Sequence, residues 1–136
     1  MPKLNDDVRA LFEAPNYAHV ATVMPDGSPH TVPVWVGLVG ERVAFFTQEA
    51  SQKAKNLGRD PRCAISIADQ ENPYRSARVR GRVVERLTGD EALEVMDRIS
   101  RRYTGADFPM RSGVVFLVEP ERVGFTELPF RHTPPA

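Results

Sequence analysis

The sequence predicts a mainly β, α+β domain: six or seven antiparallel strands forming a barrel, with three helices. Three observations lead there. Strand-like segments follow one another through tight turns in the first half, "YAHVATVM" and "HTVPVWVGLV" being joined by "PDGS", Pro25 to Ser28. Such consecutive hairpins favour an antiparallel barrel over an alternating parallel sheet. Twelve prolines in 136 residues suit edges, turns and loops better than a helical bundle.

The elements can be justified in order. "NDDVRALFEA" carries Leu4, Val8, Leu11 and Phe12 as a helical stripe, with Asn5 as N-cap and Asp6 and Asp7 in the first turn. "YAHVATVM" and "HTVPVWVGLV" are the first two strands, and Pro33 in the second marks an edge or a bulge. After Gly40, "RVAFFTQ" is a third strand. A short helix from Gln52 to about Leu57 follows. "CAISIAD" then alternates, with Cys63, Ile65 and Ile67 on one face. "ARVRGRVVERL" is a long strand interrupted by Gly81. In "TGDEALEVMDRISRRYTG", Thr88 and Glu91 make a capping box, Ala92, Val95, Met96, Ile99 and Tyr103 a buried stripe, and Gly105 a stop. "GVVFLVEPERVGFTEL" reads as two strands joined through Glu119 to Glu121. No repeat or linker divides the chain, so residues 1–136 form one domain.

Composition narrows the function. Lysine plus arginine and aspartate plus glutamate number 18 each, which gives no global attraction to nucleic acid or an anionic membrane. The basic residues also lack aromatics interleaved along one face, against a nucleic-acid role. No apolar run approaches the roughly 20 residues of a membrane span, and "MPKLNDDVRALF" lacks a signal peptide's apolar stretch. With Cys63 as the single cysteine no intrachain disulfide forms, and a cytoplasmic location is expected. His19, His30 and His132 are scattered without metal-ligand spacing, so no metal is assigned. Nucleotide-binding glycine loops, a G-x-S-x-G elbow and C-x-x-C are absent, and no residue is given a catalytic role.

One segment stands apart: "TQEASQKAKNLGRDPR", Thr47 to Arg62. Ser51 caps a helix whose stripe is Ala50, Ala54 and Leu57, with Lys53 and Asn56 beside it and Gln52, Lys55 and Arg59 in an outer row. Helix N-termini favour acids, yet lysines stand in these first turns. Free N–H groups, a serine hydroxyl and a lysine together make a small anion site, and phosphate is the usual guest. Residues 50–82 hold eight bases against three acids, so overall neutrality conceals a local surplus. The same lysines also read as solvated charges on an outer helix face, and composition alone leaves both readings open.

The order of segments resembles a known family. Ala21, Thr22, Asp26, Gly27 and Pro29 match a hairpin pattern A-T-x-x-x-D-G-x-P. Thr47, Ser51, Lys53, Asn56, Leu57, Asp60, Pro61 and Arg62 match a following pattern T-x-x-x-S-x-K-x-x-N-L-x-x-D-P-R. Over about residues 5–127 this set resembles the pyridoxamine 5'-phosphate oxidase-like, FMN-binding split β-barrel superfamily. "SQKAKN" and "ELPFRHTPPA" look most like its branch that uses the deazaflavin coenzyme F420.

The resemblance implies a homodimer with cofactor at the subunit interface. Ser51 and Lys53 would hold its phosphate, with Gln52, Lys55 and Asn56 close by. The ring would lie against Pro33, Val34 and Trp35, with Thr47 at the end of the next strand. Trp35 reads equally as a core aromatic. Arg78 and Arg80 either reach the coenzyme's acidic tail from the partner subunit or are surface charges. The implied activity is an F420-dependent oxidoreductase passing a hydride between the deazaflavin and a small unsaturated or conjugated compound. An FMN-dependent oxidase or reductase and a non-catalytic F420 or FMN carrier are the alternatives.

Overall fold

The computed structural model describes residues 4–131, 133 and 135, so His132 lies outside the described residues. Helix α1 (Asp6–Glu13) starts where the Asn5 side chain accepts from the Val8 N–H at 2.9 Å, and it buries Val8, Leu11 and Phe12. Strands β1 (Ala18–Val23) and β2 (Pro29–Val34) form the first hairpin. Its turn needs Gly27 at φ 87°, and the Asp26 carboxylate accepts from the Ser28 N–H at 3.0 Å. Strands β3 (Val36–Val39) and β4 (Arg42–Thr47) form the second hairpin. Helix α2 (Gln52–Arg59) and strands β5 (Arg62–Ala68) and β6 (Arg75–Leu87) follow. Helix α3 (Gly89–Thr104) and strand β7 (Val114–Glu127) complete the chain.

All seven strands lie in one antiparallel sheet, in the order β2-β1-β5-β6-β7-β4-β3. Its two edge strands, β2 and β3, are separated in sequence only by Trp35. The sheet therefore curls until its edges meet at that residue, which makes a barrel split along the β2–β3 seam. The expected continuous strand "HTVPVWVGLV" is thus two strands on opposite edges. Pro33 sits on an edge, where its missing donor breaks no central ladder.

Two apolar layers use the two faces of the sheet. Inside the barrel, Val20, Val43, Phe45, Ile65, Val79 and Phe116 pack with α1's Val8 and Phe12. Outside, α3 lays Ala92, Met96 and Ile99 on Ala44, Val115 and Leu117. Coverage on both faces explains why Val114 to Val118 are all buried without alternation. Among the described residues no helix is long and apolar enough to cross a membrane.

Several expected details are corrected. The Thr88 side chain makes no cap bond, so the capping box at α3 does not form. The last segment is one strand, not two, because a bulge opposite Arg80/Gly81, with Glu121 as the extra residue between Pro120 and Arg122, absorbs the expected turn. Gly81 is required there: a Cβ would come within 2.1 Å of the Glu119 carbonyl oxygen. Ala50 is exposed, leaving Ala54 and Leu57 as α2's buried apolar residues, and α2 runs on to Arg59.

Candidate functional site

At the β2–β3 seam, Pro33, Val34 and Trp35 line a cavity of about 300 Å³ that Lys53 also reaches from the first turn of α2. Tyr17, Phe46 and Phe108 form the rest of its wall. Four of the expected site residues are therefore brought together around one concave, largely apolar space. Its size is at the lower end of small-ligand sites, roughly 300–1,000 Å³.

The lysine is held there by the way α2 docks. Leu57 and Ala54 bury against the barrel, and Asn56 is fully buried, donating to the Thr22 hydroxyl of β1 at 3.0 Å. Its carbonyl accepts from Gln52 Nε2 at 2.9 Å. Arg59 adds a bond to the Val23 carbonyl. With that face fixed to β1, Lys53 projects at the seam. Burial pulls its pKa below the usual lysine value, and among the described residues no carboxylate forms an ion pair with it. Such an ammonium is under-solvated and lacks a counter-charge.

Ser51 caps α2 by accepting from the Ala54 N–H at 3.2 Å, and it also accepts from the Thr47 hydroxyl at 2.9 Å. Both lone pairs of Ser51 Oγ are thereby occupied, which leaves its own proton for an external acceptor. The first-turn N–H groups of α2 have no intrahelical acceptor, and that turn contains no acid. A phosphate fits this donor set: two N–H groups, one hydroxyl proton and one ammonium with no anionic partner among the described residues.

The remaining expected residues fall elsewhere. Thr47 and Ser51 adjoin the helix start without lining the cavity, and Gln52 is bonded to Asn56. Lys55 is exposed on the outer row. Asn56, expected beside the cofactor, is instead sealed inside because its amide is the dock between α2 and β1. Arg78 lies in a separate groove of about 490 Å³ on the outer face of β1, β5, β6 and β7, with Arg80 and Arg122. Its guanidinium donates to the Thr126 hydroxyl at 3.1 Å.

Tyr17, Phe46 and Phe108 were not among the expected residues. Phe46 was readable, since alternation along "RVAFFT" puts it on the face opposite Phe45. Tyr17 and Phe108 carry no such signal. Phe108 is brought in by a loop that buried Asp97 organises, accepting from the Phe108 N–H at 3.1 Å and a two-pronged bond from Arg111 at 2.8 and 3.0 Å.

Comparison with known proteins agrees with this architecture. The sequence profile described as "Pyridoxamine 5'-phosphate oxidase" matches residues 4–127. The chain belongs to that family. Within the pyridoxamine 5'-phosphate oxidase family, a pyridoxine/pyridoxamine 5'-phosphate oxidase of Mannheimia succiniciproducens is 35% identical over 102 residues, 74% of this chain and 46% of that protein. The chain spans less than half the length of this curated relative. A solved F420 reductase is 30% identical with a TM-score of 0.75, the match covering 85% of this chain and 94% of that one. An FMN-binding pyridoxamine 5'-phosphate oxidase-related protein of Nostoc punctiforme shares the fold, at 16% identity and TM-score 0.64 over 82% of this chain and 74% of that one.

Proposed function

We propose that this protein is an F420-dependent oxidoreductase that transfers a hydride between the deazaflavin coenzyme and a small unsaturated or conjugated compound. The observation that carries the reading is Lys53: a partly buried ammonium with no carboxylate partner among the described residues, opening into the same cavity as Pro33, Val34 and Trp35. Bound there, the deazaflavin supplies the hydride chemistry at ring carbon C5. The chain's own residues bind and orient it. Lys53, Ser51 and the first N–H groups of α2 hold the phosphate, while the seam at Pro33–Trp35 takes the planar ring. Tyr17, Phe46 and Phe108 offer apolar surface around the reacting face. No side chain is needed as nucleophile, and the closing proton can come from water. The resemblance further suggests a cytoplasmic homodimer with this cavity at the subunit interface.

The 30% identity to the solved F420 reductase supports the deazaflavin as the first reading. The phosphate site itself suits either cofactor, and the 35% identity to the pyridoxine/pyridoxamine 5'-phosphate oxidase favours an FMN-dependent oxidase or reductase as the second reading.

Titration of the protein with F420 and FMN side by side tests the proposal. Tight F420 binding with weak FMN binding is expected, and yellow, FMN-loaded protein on purification would reverse the assignment. Lys53→Ala should weaken cofactor binding by roughly 1.5–3 kcal/mol, the scale of a hydrogen bond to a charged group. Unchanged affinity would remove the phosphate site. Single-turnover oxidation of bound, reduced F420 by a panel of acceptors separates an enzyme from a carrier, which would bind without turning over.

A further inference from the structure

Trp35 is the hinge of the barrel seam, and its orientation is set from outside the cavity. The Tyr103 ring of α3 stacks on the indole, with centroids 5.1 Å apart and planes 9° from parallel. The Tyr103 hydroxyl accepts from the Val36 N–H at 3.2 Å, immediately after Trp35, and donates to the Asn16 carbonyl. Asn16 is itself buried and fixed, donating to the Leu11 carbonyl at 2.9 Å and accepting from the Gln70 N–H at 2.9 Å. Tyr103 does not line the cavity.

We propose that Tyr103 is a positioning residue: it fixes the plane of Trp35 and the Trp35–Val36 backbone, and through them the bed on which a planar ligand lies. This rests on the reading of the cavity as a cofactor-ring site. The physical case is that β3 begins on a sheet edge, where the Val36 N–H has no strand partner on the β2 side. Without the tyrosine oxygen that donor would be buried and unpaired, since Val36 is fully inaccessible. Burial keeps the phenol protonated by raising its pKa, so it accepts from Val36 while donating to Asn16. The stack then presents the indole at one angle, and Phe46 and Phe108 meet it edge-on at 6.3 and 6.0 Å. A phosphate anchored at Lys53 can be bound in many ring orientations; a rigid ring bed selects one.

Trp35 is the sole tryptophan, so its emission reports on this site alone. The test titrates wild type, Tyr103→Phe and Tyr103→Leu with F420 and FMN and with their phosphate-free fragments, 7,8-didemethyl-8-hydroxy-5-deazariboflavin and riboflavin, following quenching of Trp35. Tyr103→Phe should lower affinity for the phosphate-bearing and phosphate-free forms of the preferred cofactor by the same factor, about three- to tenfold, as for one lost hydrogen bond. Lys53→Ala should lower only the phosphate-bearing form. Thermal melts confirm that the compared variants are folded, and Tyr103→Phe serves alone if Tyr103→Leu is not. Acrylamide quenching of Trp35 without ligand should rise in both variants. Equal affinity of Tyr103→Phe and wild type for the phosphate-free fragments would overturn the proposal. If wild type binds no cofactor ring, the cofactor reading fails, and the ligand-free acrylamide measurement still decides Tyr103: unchanged quenching overturns its hold on Trp35, increased quenching sustains it.

Discussion

Asn56 donates to the hydroxyl of Thr22 at 3.0 Å, and both residues are buried, with 0% and 2% of their surface accessible. With the Arg59 bond to the Val23 carbonyl, it joins α2 to β1 three residues after Lys53, so the angle at which the lysine meets the seam depends on it. Asn56→Ala should lower the unfolding free energy by about 1–3 kcal/mol, because Thr22 is left without its donor. Pairing Asn56→Leu with Thr22→Val should recover part of that loss, since removing both partners of a buried bond is milder than removing one. Urea unfolding of the single and double variants measures both outcomes.

Asp97 and Arg111 make a second prediction. Their two-pronged bond, with the Phe108 N–H on the same carboxylate, ties the segment after α3 over the cavity wall. The Arg111 side-chain bond is the main reason the Asp97 pKa lies below 3.8. The folded value is depressed, so the stabilisation is present above pH 3.8 and is lost as pH falls through that lower folded value. Asp97→Asn should therefore be less stable than wild type at neutral pH, and the gap should close on acidification below pH 3.8. Thermal melts from pH 7 to pH 2 check it, and limited proteolysis between Gly105 and Gly113 should speed up in the variant.

Much of the fold was legible because its local signals agree with its long-range contacts. Asn5 and Ser51 cap as read, Cys63, Ile65 and Ile67 share the buried face, and Pro33 occupies an edge. The errors lie where tertiary contacts override local pattern. "HTVPVWVGLV" has the period of one strand, and only closure of the sheet splits it at Trp35. Glu119 to Glu121 looks like a turn, yet pairing with β6 stretches it into a bulged strand. In the site, spacing set Lys53 and Asn56 together beside the α2 stripe, whereas the structure brings Lys53 to the cavity and buries Asn56 against β1. A fixed i, i+3 relation cannot say which neighbour the barrel wall will cover. Tyr17 and Phe108 reach the cavity through loop geometry, which leaves no periodic trace.

Cys63 is buried on β5, and burial, with Glu121 adding to it, pushes its thiol pKa up to about 12. The nucleophile in thiol exchange is the thiolate, so this cysteine should be inert while the barrel is closed. At pH 8 a disulfide reagent such as DTNB should release almost no thiolate from folded protein and one equivalent after denaturation. Prompt reaction in the native state would mean that β5 opens or that the side chain points outward.

Lys53 gives the clearest pH signature. Burial lowers its pKa below 10.5, so in the free protein the ammonium is less favoured than in an exposed lysine. The sign for folding follows: below the lowered folded pKa the charged, desolvated lysine costs stability, and that cost is relieved as pH rises through it. Cofactor binding runs the opposite way. An anion at the start of α2 needs the ammonium, so affinity should hold through neutral pH and decline at an alkaline pH lower than an ordinary lysine would give. The bound phosphate restores the lysine's charge, and binding in that alkaline window should take up protons from buffer. Lys53→Arg, charged throughout, should remove the decline, and Lys53→Gln should give weak, flat binding across the range. Trp35 quenching between pH 7 and pH 10.5 follows all three. An identical alkaline profile in wild type and Lys53→Gln would show that the anion is held by other groups.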